Sequence, residues 1–245
     1  VRTEGPGVGK VGDHGFRTRL LNVIGQLTPR FDISQVFTER KILLVPLSKG
    51  TLGSETGGLL GSLVVAQLWQ AAQARAAVAP AQRHPVSLVI DEFQDFLHLP
   101  TDLADVLASA RSYGIAAHLA HQHLGQLTSH VRQAVPANAR NRVCFRLSGE
   151  DAAVIARSSD RLDAVDLQSL GRHEIYASVV SDGETQAFAS ATTRPLVDAI
   201  SDPERIRTIS REQFGRPREE VEAELRQLVP APSESVVGKR ARGGP

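Results

Sequence analysis

Asp91 and Glu92 stand side by side where the apolar run Ser87–Ile90 ends. Adjacent carboxylates at the tip of a buried strand suit a particular division of labour. One acid orients a hydrated divalent cation while its neighbour polarises an attacking water. The plainer reading is a strand whose polar end caps a neighbouring helix or meets solvent.

The next apolar stretch, "GIAAHLAHQ" (Gly114 to Gln122), also ends in polar residues, with Gln122 at its tip. Adjacent parallel strands bring their carboxyl ends to roughly 5 Å from one another. An amide beside an acid pair can hydrogen-bond a water and a terminal phosphate together without titrating. His121 and His123 flank the glutamine, but strand alternation points both away from it, which argues against a shared metal. Arg111, at the end of the helix after the acids, and Arg140 and Arg142, just before the next strand, are candidates to stabilise charge on a departing phosphoryl group. Of these, Arg140 suits a contact with a neighbouring subunit, whereas Arg111 could simply complement a helix dipole.

The elements that must position these residues alternate. "KILLVPL" (Lys41 to Leu47) reads as a strand covered on both faces. A long helix is expected from about Thr56 to Ala79, with Leu59, Leu60, Leu63, Val64 and Leu68 as its apolar stripe. "VSLVID" follows as a strand. Thr101 is a plausible N-cap for a helix carrying Leu103, Val106, Leu107 and Ala110 at helical spacing. A helix near Ser129 to Ala137, the strand "NRVCFRL", and a helix over Gly149 to Ala156 come next. Asp182-Gly183 signals a type I′ hairpin. This syntax implies an α/β fold with a parallel sheet layered by helices. By composition, residues 1–30 form a glycine-rich lead with a short helix near Arg19 to Gln26, and 31–190 form the core. Residues 191–229 form a polar linker, drawn over Thr192 to Arg211, and an amphipathic helix from Pro217; 230–245 form a basic tail without fixed structure.

An apolar content of 41% with 22% charge is ordinary for a globular chain, and a net charge of +1 leaves polyanion binding to local basic clusters. The single cysteine, Cys144, excludes a disulfide framework and a cysteine-rich zinc site. No run of eighteen apolar residues encodes a membrane span. A start at Val1 and the absence of methionine suggest a chain incomplete at its N-terminus or, more plainly, a misassigned start.

Taken in order, "ERKILLVPLSKGTLG", "VSLVIDEFQDF", "DLADVLASARSYGIAAHLAHQHLGQL" and "ANARNRVCFRLSGEDAAVIA" resemble the C-terminal part of the motor domain of HerA–FtsK superfamily ATPases. The resemblance is nearest to the TraG-like coupling proteins of conjugation and type IV secretion. It implies a RecA-like three-layer fold, a hexameric ring, Mg-ATP hydrolysis and DNA moved through the centre. It also implies a place in the cytoplasm, at the inner face of the membrane if an N-terminal anchor exists. By motif position, Asp91 matches the Mg²⁺-orienting acid of a Walker B motif and Glu92 the water-activating acid. Gln122 matches the strand-tip glutamine, and Arg111 and Arg140 match interface arginines.

The sequence departs from that family at one decisive place. A phosphate loop needs G-x-x-x-x-G-K-[ST]. In "EGPGVGKV", Glu4 stands where the first glycine belongs and Val11 where the hydroxyl belongs. "SKGTLGSETGG" has its lysine first and fails too. Two function classes are therefore expected to compete: the trailing portion of an ATP-driven DNA motor, and a non-catalytic RecA-like module that binds motor or secretion subunits. A metal-dependent nuclease using Asp91, Glu92 and Asp95 is a weaker third. DNA would be met through its phosphate backbone, with Lys49, Arg132 and the "KRAR" tail available, because aromatics for base stacking make up only 4% of the chain.

Overall fold

The computed structural model describes residues 23–26, 28–96 and 103–228. The lead over 1–15 with its phosphate-loop look-alike, most of the helix expected at 19–26, the Thr101 N-cap and the tail 230–245 lie outside the described residues. Two compact units are formed, one of Ile33–Ile200 and one of Val1–Asp32 with Ser201–Pro245.

In the larger unit, strand β1 (Val86–Ile90) pairs in parallel with β2 (Ile115–Leu119), in register from Val86 opposite Ile115 to Ile90 opposite Leu119. Helix α1 (Ser54–Ala74) turns Gly57, Gly61, Trp69 and Ala72 inward. The apolar stripe expected on this helix is thus shifted, because Leu59 and Leu63 stay 49% and 41% exposed. Trp69 meets Tyr113 edge-on at 5.5 Å. At the end of α1, buried Arg75 donates to the carbonyls of Tyr113 (2.8 Å) and His84 (2.5 Å), tying the helix to the turns that precede both strands. Helices α2 (Leu103–Ala110) and α3 (Ser129–Asn138) follow β1 and β2. Thr128 caps α3 by accepting the Val131 N–H at 3.4 Å. Phe93, Leu127 and Val131 form the core beneath the strand ends, with Ile90, Leu119 and Leu124 packed on it.

At Gly61, α1 lies close against Phe96 and Leu47. A Cβ there would run into the Phe96 ring and lie 2.8 Å from Leu47 Cδ1, whereas a Cβ at Gly125 would meet nothing within 4 Å. Gly61→Leu is therefore expected to cost about 1–3 kcal/mol through overpacking, while Gly125→Leu leaves the thermal midpoint within about a degree or two. Paired thermal melts measure the difference, and equal midpoints would dismiss the close approach.

Three expectations are corrected. Lys41–Leu47 is not a strand: residues 41–48 carry no regular structure, and Ile42 and Leu44 are 88% and 78% exposed. An apolar run is only half of what a strand requires. The other half is a neighbour for its ladder, and no described strand pairs with this run. Second, "NRVCFRL" does not extend a parallel sheet. Its strand β3 (Arg142–Cys144) pairs antiparallel with β4 (Glu174–Ser178), which pairs antiparallel with β7 (Ala189–Thr192). Between these last two, β5 (Val180–Ser181) and β6 (Glu184–Thr185) form a hairpin whose Asp182 and Gly183 have φ of 51° and 84°, as a type I′ turn requires. That tight reversal sends the chain straight back along β4, and short returns build antiparallel sheets. The described residues thus form an α/β unit with one parallel pair and a separate three-stranded antiparallel sheet. Helices α4 (Gly149–Ala156) and α5 (Ala164–Gln168) cover the latter around Cys144, Ala152, Leu162 and Leu167.

Third, the linker drawn over Thr192–Arg211 contains most of a helix, α6 (Pro203–Phe214), in the smaller unit. Asp202 caps it by accepting the Glu204 N–H at 2.9 Å, and Pro203 occupies the first turn. Helix α7 (Arg218–Leu228) follows, with Val221 buried and Glu224 gripped by Arg216 through two hydrogen bonds of 2.5 and 2.9 Å.

Candidate functional site

The site is assembled where β1 and β2 end. Ala120 N–H donates to the Ile90 carbonyl (3.0 Å) and Phe93 N–H to the Ala120 carbonyl (3.1 Å), stitching the two strand tips together. Phe93 then plunges into the core and is only 1% exposed. Turning it inward while the preceding carboxylate faces outward forces Glu92 into the left-handed region, φ 50°. A residue other than glycine held there costs roughly 1–2 kcal/mol, and such strain concentrates at functional positions.

Both oxygens of Glu92 are held by amides. Gln122 Nε2 donates to Oε1, and Gln94 Nε2 donates to Oε2 at 2.6 Å. Asp91 Oδ1 accepts the Glu92 N–H at 3.1 Å. Close by, Lys49 Nζ lies 2.6 Å from Asp95 Oδ2. The hydrogen bond and charge of Asp95, with a smaller contribution from Glu92, hold the Lys49 ammonium above its ordinary pKa. Asp91, Glu92, Asp95, Lys49 and Gln122 share the wall of a cavity of about 1420 Å³. Its floor is apolar, contributed by α1, β1 and the extended run 42–47.

The structure therefore brings Asp91, Glu92 and Gln122 together and keeps the arginines apart from them. Arg111 lies in the turn before β2, at the opposite end of that strand from Gln122. Five strand residues at about 3.3 Å each separate the two ends. Arg140 binds the hairpin, donating to the Gly183 carbonyl at 2.7 Å and to Thr185 Oγ1 at 3.3 Å. Neither arginine lines the cavity. His121 packs edge-on against Phe93 at 5.5 Å, and burial holds its pKa down. Among the described residues no group of three His, Cys, Asp or Glu is placed to hold a metal ion. The oxygen donors of Asp91 fit a hard divalent cation that keeps its water shell. The nuclease reading needs a third acid free for metal, and Asp95 is committed to Lys49.

Sequence reasoning missed Gln94 and the Lys49–Asp95 pair. Both depend on the single helical turn Phe93–Phe96, which folds the residues after the acids back over them. The spacing of Glu92 and Gln94 carries no signal of that turn.

A family model described as the TraM recognition site of TraD and TraG matches residues 85–211, just over half of the chain. The chain belongs to this family. The TraD/TraG match begins at Pro85, immediately before β1, and so takes in the acid pair, Gln122 and all three sheets. Among solved structures, the plasmid coupling protein TrwB in complex with the non-hydrolysable GTP analogue GDPNP is similar at 19% identity with a TM-score of 0.48. That similarity covers 61% of this chain and 40% of that one. TrwB in complex with the ATP analogue ADPNP is similar at 16% identity with a TM-score of 0.46, covering 60% and 43%. The chain thus spans about two fifths of the length of the TrwB chains it matches. The comparison with curated proteins gives no match. Among the described residues no helix is long and apolar enough to cross a membrane.

Proposed function

We propose that this TraD/TraG-family chain is the carboxylate-bearing part of an ATP-driven motor that moves DNA in conjugative transfer. One observation carries the reading: Gln122 donates to Glu92 across the ends of two parallel strands, at the rim of a cavity that also receives Asp91. In this reading the complete motor domain is RecA-like, and copies assemble in a ring, expected to be a hexamer, around the DNA backbone.

Bound Mg-ATP would supply the electrophilic γ-phosphorus and a cation that neutralises phosphate charge. Asp91 would hold the waters around that cation. Glu92 would take the proton of the attacking water, and Gln122 would orient the same water. Arg140 or Arg111 would meet the phosphates of a neighbouring copy, a role left to contact in trans because neither lines the cavity of its own chain. The sequence contains no phosphate cradle, so hydrolysis requires a G-x-x-x-x-G-K-[ST] loop from outside these 245 residues. A relaxosome protein such as TraM is the partner that the family description supports. Attachment at the inner face of the membrane belongs to the same proposal.

That missing cradle also favours a second reading, a non-catalytic module that binds motor or secretion subunits. The two separate in one assay. The chain is expressed with the coding sequence preceding Val1, and Mg²⁺-dependent phosphate release is followed with and without DNA. DNA-stimulated release supports the motor. Release no faster than from the 245 residues alone, with retained binding to coupling-protein subunits, supports the second reading and refutes the first.

A further inference from the structure

Gln122 sits midway along a short bridge, Ala120–Leu124, whose two ends are pinned to different parts of the unit. At the first end, Ala120 is stitched to β1 through Ile90 and Phe93. At the second, the Leu124 N–H donates to Asp151 Oδ2 at 3.2 Å. Asp151 belongs to the first turn of α4, 27 residues further along the chain, and is 8% exposed. A carboxylate seldom accepts such burial without partners. Here the partner is the Leu124 amide, with His123 Nδ1 near by at 3.8 Å. The negative charge of Asp151 also acts on His121, on the other side of Gln122.

The neighbour of Asp151 shows what the contact connects. Ala152 is fully buried in the core beneath the antiparallel sheet, while Leu124 packs on the core beneath the strand tips. Asp151 therefore spans the two cores by a side-chain-to-backbone bond. Ser148 fixes the helix turn that carries it, with Oγ 3.5 Å from the Asp151 N–H.

We propose that Asp151 is a positioning residue for Gln122, clamping the bridge so that the amide stays aimed at Glu92. Through this clamp a displacement of α4 moves the Gln122 bridge, and with it the grip on Glu92. The antiparallel sheet and the strand-tip site are thereby coupled. The consequence for hydrolysis rests on the motor reading, whereas the clamp itself does not.

The experiment uses the full chain and compares Asp151→Ala, Asp151→Asn and wild type by native-state amide hydrogen exchange. Removing a hydrogen bond to a charged acceptor is expected to speed exchange at Leu124 by about ten- to hundredfold, with β1 and α3 unchanged. Asp151→Asn keeps an acceptor of the same shape and should restore most of the protection. Asp151→Leu, of similar shape but with no acceptor for the Leu124 N–H, carries the test if the alanine variant does not fold, and should speed exchange at Leu124 in the same way. Unchanged exchange at Leu124, or uniform acceleration across the unit, overturns the clamp. In the hydrolysing protein, Asp151→Ala should lower kcat about tenfold with KM for ATP unchanged, as loss of aim without loss of binding predicts. Changed Leu124 exchange, in a protein that never hydrolyses ATP even when extended by a phosphate loop, would refute the motor and keep the clamp. Changed exchange with an unaltered kcat would keep the clamp but overturn its control of Gln122.

Discussion

Replacing Glu92 by glutamine in the proposed motor, complete with its phosphate loop, is expected to cripple ATP turnover while leaving the fold and the nucleotide affinity intact. A positioned general base contributes about 10²–10⁴-fold to a rate, so the fall in kcat should lie in that range, worth roughly 3–5 kcal/mol of transition-state stabilisation. The substitution is gentle for a reason visible in the structure. Gln122 can go on donating to the side-chain oxygen that remains. The new amide nitrogen would face Gln94 Nε2, but Gln94 Oε1 is buried without a hydrogen-bond partner. Turning the Gln94 amide over presents that oxygen as the acceptor. Both hydrogen bonds lose a charged acceptor but keep a neutral one, so stability should fall by no more than about 1–2 kcal/mol. Phosphate release at the wild-type rate by Glu92→Gln would end the assignment of Glu92 as the base.

Phe93→Ala is the substitution expected to damage the fold most. Among the described residues Phe93 is the largest of the fully buried side chains, and it forms a core cluster with Leu127 and Val131 on which Ile90, Leu103, Leu119, Leu124 and Val135 pack. Emptying such a site costs about 3–5 kcal/mol, a large part of the 5–15 kcal/mol that stabilises a typical domain. The thermal midpoint should drop by on the order of 10 °C. The loss should reach the site as well, because burial of Phe93 is what holds Glu92 at positive φ. Phe93→Leu, which keeps most of the volume, should lose no more than about 1.5 kcal/mol. If circular-dichroism melts gave the alanine variant a wild-type midpoint, the core drawn here would be wrong.

The parts of the molecule readable from sequence are those set by local pattern. "VSLVI" and "IAAHL" are short apolar runs closed by polar residues, and each becomes a strand because the other lies beside it. The contact between Glu92 and Gln122 was legible for the same reason, since parallel neighbours share an end. "KILLVPL" has the same composition and is not a strand, because pairing depends on a remote partner that composition does not encode. Helix α6 was overlooked because it is polar on average and its apolar positions are few, although Ile206 and Ile209 stand at helical spacing and Asp202-Pro203 is a sound start signal. Gln94 and Asp151 were invisible at the site. One arrives through a helical turn too short to announce itself, the other from 27 residues away in the chain.

The uncovered side of β1 bears on every size measurement. Among the described residues no strand pairs there, and Val89 is 71% exposed. Bare backbone donors and acceptors along a strand recruit other chains without regard to biological assembly. Particles that grow with concentration when these 245 residues are studied alone would then report strand addition, and a ring would have to be recognised by a fixed stoichiometry instead.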